Sequence, residues 1–454
     1  MKILLISANT TDTPFPVYPL GMGIVANALL RAGHAVVQFD FLHCGQSLEK
    51  LADALRLEMP GLVGISIRNI DNANMVSEQH YINIVRQIVI TIRSVVEAPI
   101  VLGGAGFSIM PEAILDAVGA DYGIVGEGES AVVDFAASIE RGERPDRCMR
   151  TPSRLDPKEI GAASYDQDLI KFYLQYGSMV GVQTKRGCVH DCVYCTYPLL
   201  EGREFRPRPV GDVVDDIERL VNVHHAGYIF FTDSIFNDDE GLFLDLLSEM
   251  KRRRVSVPWT CFIKPGNIRE EHVLLMKEAG LKAIEIGSDG ASDIALRGLG
   301  KDFLFKDIIT TNDVFTRNGI ATANFFMFGG PGETKESVME GIRNIVALPK
   351  TLSFMFMGVR ILPGTPLETI ALEEGVIGPG QDLLGPVYYL SGALDRQWLE
   401  KTLTDGFKDH RYCFFPSDKF ETATKFLHQM GYTGSLWGML SPNKMRTTPR
   451  AAKM

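Results

Sequence analysis

The sequence predicts an α/β protein in two parts: an N-terminal doubly wound, Rossmann-like domain, then a partial (β/α)6 barrel with a small C-terminal region. Three observations carry that expectation. Short apolar runs alternate with helical stretches from residue 1 to about 140, a second such series starts near residue 178, and the stretch between them is polar and weakly periodic. Brief, continuous apolar runs are what strands buried on both faces of a parallel sheet require.

In the first part the strand-like runs are residues 3–6, 35–39, 62–67, 99–102 and 122–125. Between the first two, Leu20, Ile24, Val25, Ala28 and Leu29 recur at helical spacing, and Gly33 is the expected cap at the helix end. Strand and helix repeated in this way imply an open sheet whose ligands sit beyond the carboxyl ends of its strands. That rim is rich in small residues: Pro19-Leu20-Gly21-Met22-Gly23, Gly103-Gly104-Ala105-Gly106 and Gly126-Glu127-Gly128-Glu129. Any one of these is ordinary turn chemistry, but three on one rim favour a ligand site. Ile67-Arg68-Asn69-Ile70-Asp71-Asn72 ends the third strand there; Arg68, Asn69 and Asn72 are candidate contacts, and helix capping is the alternative for Asn69, Asp71 and Asn72.

The first domain is set at residues 1–145 and a linker at 146–177. Residues 179–183, 228–231, 259–262, 283–286, 323–328 and 353–357 then read as six strands with helical stretches between them, a barrel over 178–375 with its site at the strands' C-terminal ends. Residues 376–454 are the expected capping region, with a mobile polar tail from Ser441. Its Tyr388, Tyr389, Trp398, Tyr412, Phe414 and Phe415 are read as core ahead of cavity lining. Lys251-Arg252-Arg253-Arg254 reads as a solvated helix end.

Composition narrows the partners. The 454 residues are 45% hydrophobic and 22% charged with a net charge of −10, so no basic field favours nucleic acid or an anionic membrane. No apolar run reaches the roughly 18 to 20 residues of a membrane span, and residues 1–7 lack the flanks of a signal peptide, so a cytoplasmic setting is expected. In a reducing compartment the close spacing of Cys188, Cys192 and Cys195 indicates a metal site before it indicates disulfides.

Gly187-Cys188-Val189-His190-Asp191-Cys192-Val193-Tyr194-Cys195 spaces the thiols C-x3-C-x2-C directly after a strand. Zinc sites built of cysteine use paired C-x2-C knuckles and a fourth ligand, and no second knuckle is present. Three thiolates in one loop can hold three corners of a 4Fe-4S cluster and leave one iron open. Lys185 and Arg186, just upstream, are the expected counter-charges, and His190 is read as a spacer.

At these residues, with Tyr194 ahead of the third cysteine, the chain resembles the radical S-adenosylmethionine (SAM) superfamily. The resemblance implies that SAM chelates the open iron of the cluster and is cleaved there to methionine and a 5′-deoxyadenosyl radical, inside a barrel that protects the radical. Phe328-Gly329-Gly330-Pro331-Gly332-Glu333-Thr334 looks like the family's glycine-proline turn, and Asp233 ends the second barrel strand. Glu285-Ile286-Gly287-Ser288-Asp289-Gly290 occupies the fourth-strand segment, with Asp289 where the family commonly has Glu, and Arg360 opens the sixth-strand element. Gly330, Pro331, Asp233, Glu285, Asp289 and Arg360 are therefore the SAM contacts that the resemblance implies. A rigid turn is the alternative at Gly330 and Pro331, and an ordinary surface ion pair at Arg360.

The doubly wound domain ahead of the barrel is similar to the cobalamin-binding domain of the cobalamin-dependent branch, through Leu20, Gly21, Gly103, Gly104, Asp121, Gly126 and Glu127. With Arg68 and Asn69 these are the implied cobalamin contacts, Asp121 apart. The D-x-H-x-x-G loop of many cobalamin proteins is absent after the first strand, and His43 follows the second strand at the wrong spacing, so a corrin held without a histidine is implied. The likeness covers about residues 1–375 and implies a methyltransferase. One SAM would methylate cobalt and a second would yield the radical that takes hydrogen from an unactivated carbon, which then accepts the methyl group from methylcobalamin. A cyclisation, rearrangement or hydration with the same cofactors, radical chemistry without cobalamin, and a cobalamin or iron-sulfur sensor are the other readings; no DNA-binding element supports the last. A small-molecule, lipid or peptide substrate and an electron donor such as flavodoxin or ferredoxin complete the expectation, which requires both strand-end rims to face one cavity.

Overall fold

The computed structural model describes residues 1–151 and 154–441, so the tail expected beyond Ser441 lies outside the described residues. The first sheet contains β1 (Lys2–Ser7), β2 (Ala35–Asp40), β3 (Leu62–Ser66), β4 (Ile100–Gly103), β5 (Tyr122–Val125) and β6 (Cys148–Arg150). They are parallel, in the order β2-β1-β3-β4-β5-β6. Successive side chains of β1 point to opposite faces. Ile3 and Leu5 join a core with the helices Leu20–Arg31 and Gly128–Glu140, while Leu4 and Ile6 join one with Leu48–Glu58, Ile82–Val95 and Pro111–Val118. Both faces are covered, which is why these strands read as unbroken apolar runs. The first helix ends where its sequence says it should, with Gly33 at φ +88° and its N–H donating to the Leu30 carbonyl.

Three elements lie inside the segment expected to be linker: β6, which pairs with β5, a short 3-10 turn Pro157–Glu159, and the helix Gln167–Gln175, N-capped by Asp166. The first sheet therefore extends to Arg150. A three-residue edge strand carries no period to read, whereas the helix buries Leu169, Ile170 and Tyr173 at a spacing that was legible.

β7 (Met179–Val182) opens the second sheet, and a short antiparallel hairpin, β8 (Lys185–Arg186) with β9 (Arg206–Pro207), carries the cysteine loop. The sheet continues through β10 (Tyr228–Phe231), β11 (Trp259–Ile263), β12 (Leu281–Asp289), β13 (Ala321–Phe328) and β14 (Leu352–Met357). Past it, β15 (Val359–Arg360) pairs antiparallel with β16 (Tyr388–Tyr389), and β17 (Cys413–Phe414) adds a parallel edge strand beside β14. The order β17-β14-β13-β12-β11-β10-β7 contains the six predicted barrel strands, and its outer strands do not pair among the described residues. The barrel is partial, as expected.

Only the last part of the C-terminal region, residues 412–440, caps the end of the barrel opposite the site; residues 383–390 lie at the site end, where β16 pairs with β15. Trp437 and Phe420 pack on Ala283, Ala321, Ala323, Leu352 and Phe354, residues of the N-terminal halves of their strands. Tyr389 and Phe415 are buried, and none of the six aromatic residues singled out from the sequence lines the central cavity. The basic run ends the helix Leu242–Arg253, where Arg252 and Arg253 pair with Glu249. No helix among the described residues is long and apolar enough to cross a membrane.

Candidate functional site

The hairpin β8–β9 holds the cysteine loop by its backbone. Cys188 N–H donates to the Gly202 carbonyl at 3.1 Å, Cys195 N–H to Cys192 at 3.1 Å, and Val193 N–H to Leu299 at 3.1 Å. At Gly187, φ is +90° and a Cβ would stand 1.9 Å from the Glu204 carbonyl oxygen. Only glycine fits there. Gly187→Ala is expected to abolish iron incorporation with little change in helix content, measured as iron per chain and far-ultraviolet circular dichroism.

All seven cysteines are free. Burial raises the Cys188 thiol and pushes Cys195 up to about 12, so these two stay protonated until a metal displaces the protons. No three His, Cys, Asp or Glu side chains among the described residues converge on a single ion. Cys192 and Cys188 lie close enough to Cys195 to raise its thiol, and three thiols on one loop are the donor set of a 4Fe-4S cluster with one iron left open, so the residues present fit that group.

The expected counter-charges are engaged elsewhere. Lys185 is buried against Asp233, Asp238 and the Phe236 carbonyl. Arg186 pairs with Glu129, 3.7 Å from Glu127. A buried cation must be paired, and in both cases the nearest carboxylates are not on the cluster loop. The ammonium that does reach the loop is that of Lys301, 3.2 Å from Cys192 Sγ and 3.1 Å from Tyr194 Oη. Nothing near the cysteines in the sequence announces it, because it comes from the turn after the helix Asp293–Gly298.

The carboxyl-end rims of both sheets face one cavity of about 850 Å³. Leu20, Gly21, Arg68, Asn69, Gly103, Gly104, Gly126 and Glu127 all line it, and from the other side so do Tyr194, Asp289, Phe325, Met327, Phe356 and Arg360. Its volume is at the large end for small-molecule sites, and a Cβ on Gly21 would meet nothing within 4 Å, leaving open backbone for a broad flat ligand. Gly104 has φ +98° and packs its Cα side on the Ile67 backbone, which closes the turn after β4. The Arg68 guanidinium enters the cavity with no hydrogen-bond or ion-pair partner among the described residues. His43 lies off the cavity, its ring against Phe172.

Several of the implied contacts have other work. Glu127 lines the cavity, but its carboxylate is held by Arg206 and by the Leu155 N–H. Arg360 donates to Asp71 at 2.9 Å and to the Ile361 and Leu383 carbonyls, an ion pair as the alternative had it, but buried and joining the two domains. Asp233 lies two residues past the end of β10, off the cavity and only 1% exposed, and accepts from Thr184 and Lys185, which ties the end of β10 to the end of β7. Gly330 and Pro331 also lie off the cavity. Gly330 N–H donates to Glu333 at 3.0 Å, and the Pro331 carbonyl abuts Gly298, so this turn packs on the end of the neighbouring helix. Asp289 does reach the cavity. A register shift between Ile286 and Asp289 and a φ of +55° turn it towards Tyr194, whose hydroxyl donates to it at 2.8 Å, and Lys301 pairs with it.

Glu285 points to the barrel floor, where Trp437 Nε1–H donates to it at 3.2 Å. Burial raises its carboxyl from 4.5 to about 7. Below about pH 4.5 the folded and unfolded chains both carry the proton; between there and about pH 7 only the folded chain keeps it, so stability falls as pH rises through this window. Glu285→Gln keeps the bond to Trp437 and is expected to flatten that fall, leaving the variant up to about 3 kcal/mol more stable than wild type at pH 8 in urea unfolding.

Residues 182–345 match the radical SAM superfamily, and residues 6–136 match the B12 binding domain. The chain is 26% identical over 453 residues to the tryptophan 2-C-methyltransferase of Streptomyces laurentii, covering 82% of this chain and 74% of that protein. It is 24% identical over 463 residues to the cytidylyl-2-hydroxyethylphosphonate methyltransferase of Streptomyces wedmorensis, covering 85% and 84%. Among solved structures, the radical S-adenosylmethionine methyltransferase TsrM from Kitasatospora setae, with cobalamin and a 4Fe-4S cluster bound, matches with a TM-score of 0.84 at 24% identity over 97% of each chain. That match is one of fold.

Proposed function

We propose that this chain, a radical SAM superfamily protein with a B12-binding domain ahead of its barrel, is a cobalamin-dependent methyltransferase that places a methyl group on an unactivated carbon of a small molecule. The observation that carries this reading is the single cavity onto which the glycine rim of the first domain and the cysteine-loop side of the barrel both open. When bound, the cluster and SAM supply the radical, and the corrin supplies the methyl group.

The chain's own residues bind, orient and enclose. Leu20, Gly21, Asn69, Gly103, Gly104 and Gly126 offer a corrin a backbone floor at the switch point between β1 and β3, where doubly wound sheets take their ligands. Arg68 brings unpaired donors for the corrin's amide arms. Cys188, Cys192 and Cys195 hold the cluster, and Asp289, with Tyr194 beside it, faces the cavity where SAM would lie. Phe325, Met327 and Phe356 give the barrel side an apolar wall, which keeps water from a reactive carbon. The named relatives, both methyltransferases of small molecules, support the same reading. We place the reaction in the cytoplasm, with a flavodoxin or ferredoxin as electron donor.

Anaerobic purification followed by incubation with SAM, reductant and candidate substrates tests the proposal. The expected result is a brown, corrin-containing protein that forms S-adenosylhomocysteine and 5′-deoxyadenosine together. 5′-Deoxyadenosine without S-adenosylhomocysteine would instead indicate a cyclisation or rearrangement, and failure to bind any corrin after reconstitution would remove cobalamin from the scheme.

A further inference from the structure

The turn that presents Lys301 is built against the cysteine loop. Val193 N–H donates to the Leu299 carbonyl at 3.1 Å, and a Cβ on Gly300 would lie 2.5 Å from the Asp191 carbonyl oxygen, so the two backbones are in direct contact. Beside this contact the Lys301 side chain, 8% exposed, lies against Cys192 Sγ and Tyr194 Oη, with Asp289 as its counter-ion. Its ammonium also lies over the Tyr194 and Phe303 rings, at 5.3 Å and 5.9 Å from their centres. With Lys185 and Arg186 committed to carboxylates away from the loop, Lys301 is the cation in contact with a cluster thiol.

We propose that Lys301 is a positioning residue that sets the reduction potential of the cluster by donating to the Cys192 sulfur, and that Asp289 limits how much of its charge the cluster feels. The proposal rests on the reading that the three cysteines hold a cluster. Reduction adds a negative charge to a thiolate-bound cluster, and a hydrogen bond or cation at a ligand sulfur favours the reduced form. Removing the ammonium therefore lowers the potential. Removing the Asp289 charge frees the ammonium and raises it.

The test uses the full chain, reconstituted anaerobically with iron and sulfide and without SAM, with iron per chain measured first and the cluster followed by electron paramagnetic resonance during a redox titration. Lys301→Gln is expected to shift the midpoint to lower potential, Lys301→Arg to leave it near wild type, and Asp289→Asn to shift it to higher potential. A Lys301→Gln protein that loads its cluster and titrates like wild type overturns the proposal, as does an Asp289→Asn protein shifted downward. If Lys301→Gln loads no iron, the sign of the Asp289→Asn shift decides alone. A wild-type chain that takes up no iron would instead defeat the cluster reading itself, a different result from an unshifted potential.

Discussion

Replacing any one of Cys188, Cys192 and Cys195 by alanine is expected to reduce iron from about four per chain to near zero and to abolish SAM cleavage. The loop does not depend on the thiols for its shape. Its bonds run from the backbones of Cys188, Val193 and Cys195 to Gly202, Leu299 and Cys192, and Ser234 Oγ–H donates to the Gly187 carbonyl at 2.8 Å. The three variants should therefore melt within a degree or two of the iron-free wild type while losing the brown chromophore. A variant that kept both iron and turnover would show that its cysteine is not a ligand, and a variant that unfolded would show that the thiols are structural.

The second large effect is expected at Arg206. Its guanidinium, 6% exposed, holds the 5% exposed Glu127 carboxylate of the first domain and also donates to the Leu155 and Glu201 carbonyls. Arg206→Met leaves Glu127 buried with Arg186 3.7 Å away as its remaining cation, and breaking a buried pair from one side costs about 3–5 kcal/mol. Because Glu127 stands on the cavity rim, corrin retention in gel filtration should fall along with the denaturation midpoint. The double variant Arg206→Met, Glu127→Leu removes both charges and should recover most of the stability. Equal loss in the single and double variants would refute the pairing argument.

The sequence was informative where the information is local. Buried parallel strands announce themselves by composition, Gly33 by its place after a helical period, and the cluster loop by three thiols in eight positions. What escaped was decided by partners that folding brings together. β17 is two residues that become a strand only because β14 offers an edge. Arg360 meets Asp71 across 289 residues and Lys301 meets Cys192 across 109, separations that no spacing rule encodes. Asp233 stands just past a strand end, and that position says nothing about whether a carboxylate faces outward or is drawn back by Thr184 and Lys185.

The buried pairs between domains sit at both margins of the open barrel. Arg186 and Arg206, on the hairpin after β7, grip Glu129 and Glu127; Arg360, just after β14, grips Asp71. The first domain thus serves as the missing staves of the cask, fastened on either side of the gap with arginine always on the barrel and carboxylate always on the stave. Neither half encloses a chamber alone. A radical generated in the barrel would be sheltered only while the corrin carrier is fastened in place, so generating the radical and delivering the methyl group would share one wall.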